Sequence, residues 1–219
     1  MRGNSGETRM EALEKILTSA IELFSQYGFK SITMDDIARR AGISKKTLYQ
    51  HFANKQEVVN ESVAWYKNNT TESCIGVLKD AENAIEAMVR ILAFFDSLYR
   101  RLNPMAIFEM QRFFPDAYKQ FRDLLVERDV VLMRENIGQG MKEGLYRADL
   151  NADLMARYRI ETSLMSLQPN LMVSDRASLM SVALEIGEHF MYGMMTPKGI
   201  ELYLKYKEQY LKQTTASTI

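Results

Sequence analysis

With 219 residues, 47% of them hydrophobic, and 28 basic side chains balancing 28 acidic ones, the chain is long enough for one large or two small domains and can bury a sizeable core without cross-links. Its one cysteine, Cys74, rules out an internal disulfide and any multi-cysteine metal site, and with only His51 and His189 available for imidazole chemistry no histidine-based metal site or catalytic triad is expected. No apolar run approaches the ~20 residues that cross a bilayer, and MRGNSGETRM lacks the apolar segment of a signal peptide, so the expectation is a cytoplasmic protein with no membrane contact, no metal and no cofactor.

Residues 1 to about 7 are polar, contain Gly3 and Gly6, and are expected to be unstructured. Leu13, Ile16, Leu17, Ala20, Ile21, Phe24 and Tyr27 then follow the spacing of an amphipathic helix, which Gly28 ends. Thr33 can cap a second helix with Asp35 and Asp36 near its positive end. Ile37, Ala38 and Ala41 continue that helix, and Gly42 suits a left-handed stop. Ser44 can cap a third helix, Lys45 to about Gln50. At 100° per residue Lys45, Tyr49, Lys46 and Gln50 fall on one arc of roughly 140°, while Leu48 lies outside it and can face Ile37 and Ala41. Leu17, Ile21, Phe24, Ile37, Leu48 and Phe52 are the expected small core of this three-helix unit.

Charge singles out the same region. Residues 1–55 hold nine Lys/Arg against six Asp/Glu, a balance of +3, which leaves nineteen against twenty-two, or −3, for the remainder. From Ile43 through Lys55 there is no acidic residue, whereas Lys45, Lys46, His51 and Lys55 are basic and Thr47 and Tyr49 add hydroxyls. Such groups bind phosphate, and lysine or glutamine reaches base edges, so the third helix is a candidate for a nucleic-acid groove. A solvated basic face on an ordinary helical pair is the bland alternative.

The rest reads as helical. Asn54 can cap a fourth helix, Lys55 to about Leu78, and Ile85, Met88, Leu92, Phe95, Tyr99 and Leu102 mark a long packed fifth. Asn103-Pro104 opens a short helix through Phe113, and Pro115-Asp116 opens another toward Gly144, expected to fray or kink at Gly138, Gly140 and Gly144. Ala152 to about Leu167, Asp175 to about Met195 and Ile200 to about Lys212 complete the series. In the second of these, Leu179, Ala183, Ile186, Gly187 and Phe190 form an apolar stripe whose small residues permit close helix approach; an internal core stripe is the alternative. No strand alternation or repeat is evident.

Thr33-x-x-x-Ile37-Ala38-x-x-Ala41-Gly42-Ile43-Ser44-x-x-Thr47-Leu48-Tyr49-x-His51-Phe52-x-x-Lys55 resembles the DNA-binding signature of TetR/AcrR-type transcriptional regulators, and the preceding helix, with Ile16, Ala20, Leu23-Phe24 and Gly28, is similar as well. GMKEGLYRADL also resembles the helix exit before the last two helices of TetR-type bodies. The resemblance implies an all-α fold of about nine to ten helices: a helix-turn-helix DNA-binding domain at 8–54 joined to a regulatory, ligand-binding and dimerisation domain at 55–213. It implies base contacts from Lys45, Lys46 and Thr47, to which the helix face adds Gln50, and phosphate contacts from Thr33, Ser44, Tyr49, His51 and Lys55. Lys46 departs from the pattern, because many members carry glycine there. The final helix pair is implied to meet its copy in a homodimer through Leu179, Ala183, Ile186, Gly187 and Phe190, and the body to hold a small-molecule cavity. Phe95, Tyr99, Phe108, Arg112, Phe121, Tyr158, Glu161 and Met165 are candidates to line it.

The expected function is a dimeric regulator, a repressor released from a near-palindromic double-stranded operator when a lipophilic effector of unspecified identity enters the body. Two alternatives stand beside it: a DNA-binding dimer without effector, and an all-helical enzyme acting on a phosphorylated substrate. The enzyme would need a nucleophile, an acid-base pair or a metal set, and the sequence offers none in a recognisable spacing.

Overall fold

A computed structural model of the chain describes residues 4–100, 102–167 and 179–210, with the side chains of 4–9 and 179–180 outside that description. Eleven α-helices make up the described residues: α1 Asn4–Tyr27, α2 Met34–Ala41, α3 Lys45–His51, α4 Lys55–Lys79, α5 Ala84–Tyr99, α6 Ala106–Phe113, α7 Pro115–Leu124, α8 Val130–Lys142, α9 Ala152–Ser166, α10 Leu179–Met194 and α11 Pro197–Tyr210. The fold is all-helical, an N-terminal helix-turn-helix followed by a helical body. Among the described residues a single Tyr146–Met195 bridge is the only strand-like pairing, and no helix is long and apolar enough to cross a membrane.

Three boundaries differ from the sequence expectation. Helix α1 begins at Asn4, inside the stretch expected to be unstructured; a helix rich in Ala, Glu, Leu and Lys extends upstream at little cost. Helix α6 starts at Ala106 rather than Pro104, because Asn103 and Pro104 form the turn before it and the Asn103 carboxamide oxygen accepts from Met105 N–H. The helix from Pro115 is interrupted by a π-helical turn, Leu125–Asp129, and continues to Lys142 through Gly138 and Gly140. Gly140 is accounted for by packing: a Cβ there would lie 2.1 Å from the ring of Tyr146.

The chain packs as two units, which divide it differently from a cut at Asn54. The first comprises residues up to 69 together with 102–124. Its core joins Ile16, Leu17, Ala20, Ile21 and Phe24 of α1 to Ile37 and Ala38 of α2, Leu48 of α3, and Phe52. Val58, Val59 and Val63 of α4 and Ala106, Met110, Phe114 and Ala117 extend it. All six residues expected to form the small core lie in it. The second unit comprises 70–101 and 125 onward. There Ala84, Ile85, Met88 and Val89 of α5 pack with Val130 and Ile137 of α8, Tyr146, Ala156 and Ile160 of α9, and Phe190, Met191 and Met194 of α10. Tyr203 and Tyr206 of α11 complete that core.

Candidate nucleic-acid interface

Local chemistry fixes α2 and α3 relative to each other. Thr33 and Asp36 form a reciprocal cap: the Thr33 oxygen accepts from Asp36 N–H at 3.2 Å, and an Asp36 carboxylate oxygen accepts from Thr33 N–H at 3.0 Å. The Thr33 hydroxyl donates to the same carboxylate at 2.6 Å. These bonds hold the Asp36 carboxyl below the usual carboxylate range. Gly42 ends α2 in the left-handed region, φ +68°, where a side chain would strain the backbone. Two residues later Ser44 caps α3, accepting from Thr47 N–H at 3.0 Å. Leu48 is fully buried beneath α3.

That anchoring leaves the other side of α3 outside. Lys45, Lys46, Tyr49 and Gln50 are exposed, with 46% of Tyr49 accessible. The arc drawn from the sequence is therefore one solvent-facing surface. Lys45 does not project freely, because its ammonium lies 2.8 Å from the Asp35 carboxylate, whose hydrogen bond raises the lysine pKa. Thr47 is half-buried, and its hydroxyl shares a 2.8 Å hydrogen bond with that of Ser44.

The flanking residues divide. Ser44 is exposed at the start of α3, and His51 is half-buried beside Phe52. Thr33 has both its N–H and its hydroxyl committed to Asp36. Lys55 is turned inward: its ammonium donates to Lys30 C=O at 3.3 Å and lies 5.5 Å from the centre of the Phe114 ring. Desolvation there lowers its pKa. Both residues reach a phosphate only if these contacts open.

The residues expected around an effector are shared between the two units. In the first, Phe121 packs against the core and Arg112 is exposed over the Phe113 ring, while Phe108 is half-buried. In the second, the Phe95 and Tyr99 rings of α5 meet at a tilt of 39° with centres 5.7 Å apart. Tyr158, Glu161 and Met165 are exposed on α9 and share their face with Leu154. Of the stripe expected to face a second subunit, Gly187 and Phe190 are buried inside the protomer. A Cβ at Gly187 would lie 3.1 Å from Leu92. Ala183 and Ile186 are half-buried, and the Leu179 side chain falls outside the described residues.

Three partners escape sequence reading. Asp35 holds Lys45 across the turn, Glu109 of α6 accepts from Lys30 N–H at 2.9 Å, and Arg159 points into the helical body. The last was detectable on a helical wheel, since Ala156 and Ile160 share its face and are buried. Among the described residues no three His, Cys, Asp or Glu side chains gather to hold a metal ion.

Similarities to known proteins agree with this geometry. Residues 16–61, which contain all of α2 and α3, match the family described as "Bacterial regulatory proteins, tetR family". The chain is 28% identical over 165 residues to the transcriptional repressor KstR2 of Mycobacterium tuberculosis, covering 70% of this chain and 78% of that protein. Its fold is similar to the FadR regulator of Bacillus subtilis in complex with stearoyl-CoA, with TM-score 0.64 and 17% identity over 82% of this chain and 98% of the other. It is also similar to a transcriptional regulator from Saccharomonospora viridis in complex with choline, with TM-score 0.67 and 18% identity over 85% and 99%. With its capped helix-turn-helix, its matched N-terminal segment and a repressor as relative over most of its length, the chain belongs to the TetR family of transcriptional regulators.

Proposed function

We propose that the protein is a cytoplasmic, dimeric repressor that reads a near-palindromic operator with α3 and leaves it when a small molecule enters the helical body. The observation that carries the reading is the exposed face of Lys45, Lys46, Tyr49 and Gln50, held outward by caps at Thr33, Gly42 and Ser44. Lys46 and Gln50 take base edges together with Lys45 and Thr47, and Ser44, Tyr49 and His51 take the flanking phosphates. For Lys45 the operator replaces Asp35. Thr33 and Lys55 join the phosphate contacts once their present bonds open.

Two such helices fit successive major grooves about 34 Å apart. The exposed face of α9, with Leu154 58%, Tyr158 48% and Met165 46% accessible, favours that helix as part of the surface that meets the second copy. Ala183 and Ile186 of α10 contribute from its half-buried side. An effector changes operator affinity only by binding the two states unequally. The stearoyl-CoA and choline complexes of the two similar regulators support a small-molecule effector.

The test is an anisotropy titration against operator and scrambled duplexes. Lys46→Ala and Tyr49→Ala are expected to weaken operator binding about tenfold each, the lower range for a lost base or phosphate contact, with the melting temperature unchanged. Unaltered affinity in both removes α3 from the groove. Failure of every lipophilic compound in a thermal-shift screen to release DNA favours the dimer without effector.

A further inference from the structure

Among the described residues, arginines 39, 40, 90, 100, 128, 134 and 147 each face a carboxylate within 4 Å. Arg159 of α9 does not. Its side chain is half-buried in the second unit, over the Phe190 ring with its central carbon 5.8 Å from the ring centre. One guanidinium nitrogen donates to the Ser163 hydroxyl. That hydroxyl in turn donates to Arg159 C=O at 2.8 Å, so its lone pair is aimed at the guanidinium. A Cβ on Gly187 would lie 3.5 Å from Nη2, and the missing side chain leaves room for the charge. Desolvation lowers the arginine's pKa, and Tyr99 lies within electrostatic reach.

A guanidinium carries five N–H donors in a planar fork, and one is used here. Taking such a charge out of water without a counter-charge is costly, and protein charges so placed are paired. Leu92 and Tyr99 lie on one face of α5. We infer that Arg159 is the anchor for the anionic group of an otherwise apolar effector, seated on its free N–H fork beside Ser163 with Phe190 and Leu92 as apolar walls. The open part of the side chain's surface is the route by which the anion arrives. A cationic molecule such as choline is disfavoured by the same charge.

This inference rests on the effector reading above and is separable from it. Binding of hexadecanoate, hexadecanoyl-CoA, methyl hexadecanoate and choline to the full chain is measured by calorimetry, with operator release read in parallel. At least one of the two anions is expected to bind tenfold or more tighter than the ester, and choline not at all. Arg159→Met is expected to bring that anion and the ester to equal affinity, and to melt no lower than the parent, since a charge without a partner is removed. Arg159→Lys, which keeps the charge without the fork, is expected to retain part of the preference. A larger loss for the acid assigns the group to a carboxylate, and a larger loss for the thioester assigns it to a phosphate. Equal binding of ester and anions, or a preference that survives Arg159→Met, overturns the anchor while leaving an effector site in place. A panel in which nothing binds or releases DNA overturns both.

Discussion

The Lys45 ammonium of α3 sits 2.8 Å from the Asp35 carboxylate of α2, so a negative charge holds one of the proposed DNA-reading lysines across the helix-turn-helix turn. Both side chains are more than half exposed, where an ion pair is weak and phosphate competes readily. Asp35→Asn is therefore expected to raise operator affinity about two- to fivefold at low salt, by freeing Lys45 and removing a charge that repels the backbone. The dependence of log affinity on log salt should steepen by up to about one. Anisotropy titrations at two salt concentrations check this, and weaker binding by the variant would place Lys45 away from DNA.

Gly138 and Gly140 stand two residues apart on α8 and are expected to respond in opposite directions to alanine. A Cβ at Gly138 meets nothing within 4 Å, so Gly138→Ala should stabilise by roughly 0.5–1 kcal/mol through helix propensity alone. At Gly140 the same atom would enter the Tyr146 ring, whose hydroxyl donates to Ala84 C=O at 3.3 Å. Gly140→Ala should cost about 1–3 kcal/mol or more, as overpacking does. Thermal unfolding followed by far-ultraviolet circular dichroism separates the two signs.

Those glycines mark where sequence reading stops. Thr33, Gly42 and Ser44 were legible because caps and left-handed stops are written into neighbouring residues, and the small core around Phe24 and Leu48 followed from helical spacing. What depends on distant parts of the chain was not: a glycine that admits Tyr146 looks like one that loosens a helix, and nothing beside Glu109 in the sequence shows that it takes Lys30 N–H. The stripe through Gly187 and Phe190 has a periodicity that fits a subunit interface and an interior equally; Gly187, against Leu92, and Phe190 are buried within the protomer, whereas Ala183 and Ile186 are half-buried. Arg159 was missed because a lone arginine in a helix is normally a solvated one.

Helix α11 is fastened by a row of phenols. Tyr203 donates to Glu188 at 2.9 Å, Tyr206 to Glu82 at 3.2 Å and Tyr210 to Glu86 at 2.7 Å. Desolvation raises the pKa of Tyr203 and Tyr206, and the bond to Glu86 raises that of Tyr210. A phenol with a raised folded pKa contributes stability that is whole below its unfolded value near 10 and is lost as pH climbs toward the folded value. The melting temperature should thus hold to about pH 10 and fall steeply above it, with tyrosinate absorbance rising in step with unfolding. Tyr206→Phe should cost about 1 kcal/mol at neutral pH and flatten the alkaline loss. An alkaline limb identical to the parent's would show that this hydroxyl is not held protonated by the fold.

Gly28 and Glu109 meet at the end of α1. Gly28 has φ +85°, and its N–H donates to Phe24 C=O at 2.9 Å, so the backbone turns there in a conformation that costs an alanine about 1–2 kcal/mol. A Cβ would also stand 2.6 Å from the Glu109 carboxylate, which takes Lys30 N–H. Gly28→Ala is consequently expected to cost more than the backbone strain alone, and Glu109→Ala to cost about 1 kcal/mol for the lost hydrogen bond. Once Glu109 is truncated the steric part has no partner, so the double variant should lose less than the two single losses added, by about 0.5 kcal/mol or more. Trp65, the chain's one tryptophan, packs against this core, and its fluorescence in urea titrations of the four proteins reports on it directly. Strict additivity would mean that the carboxylate does not sit over the turn. Coupling of the expected sign would establish α6 as the clamp that sets the entry into α2, and hence the angle at which α3 is presented.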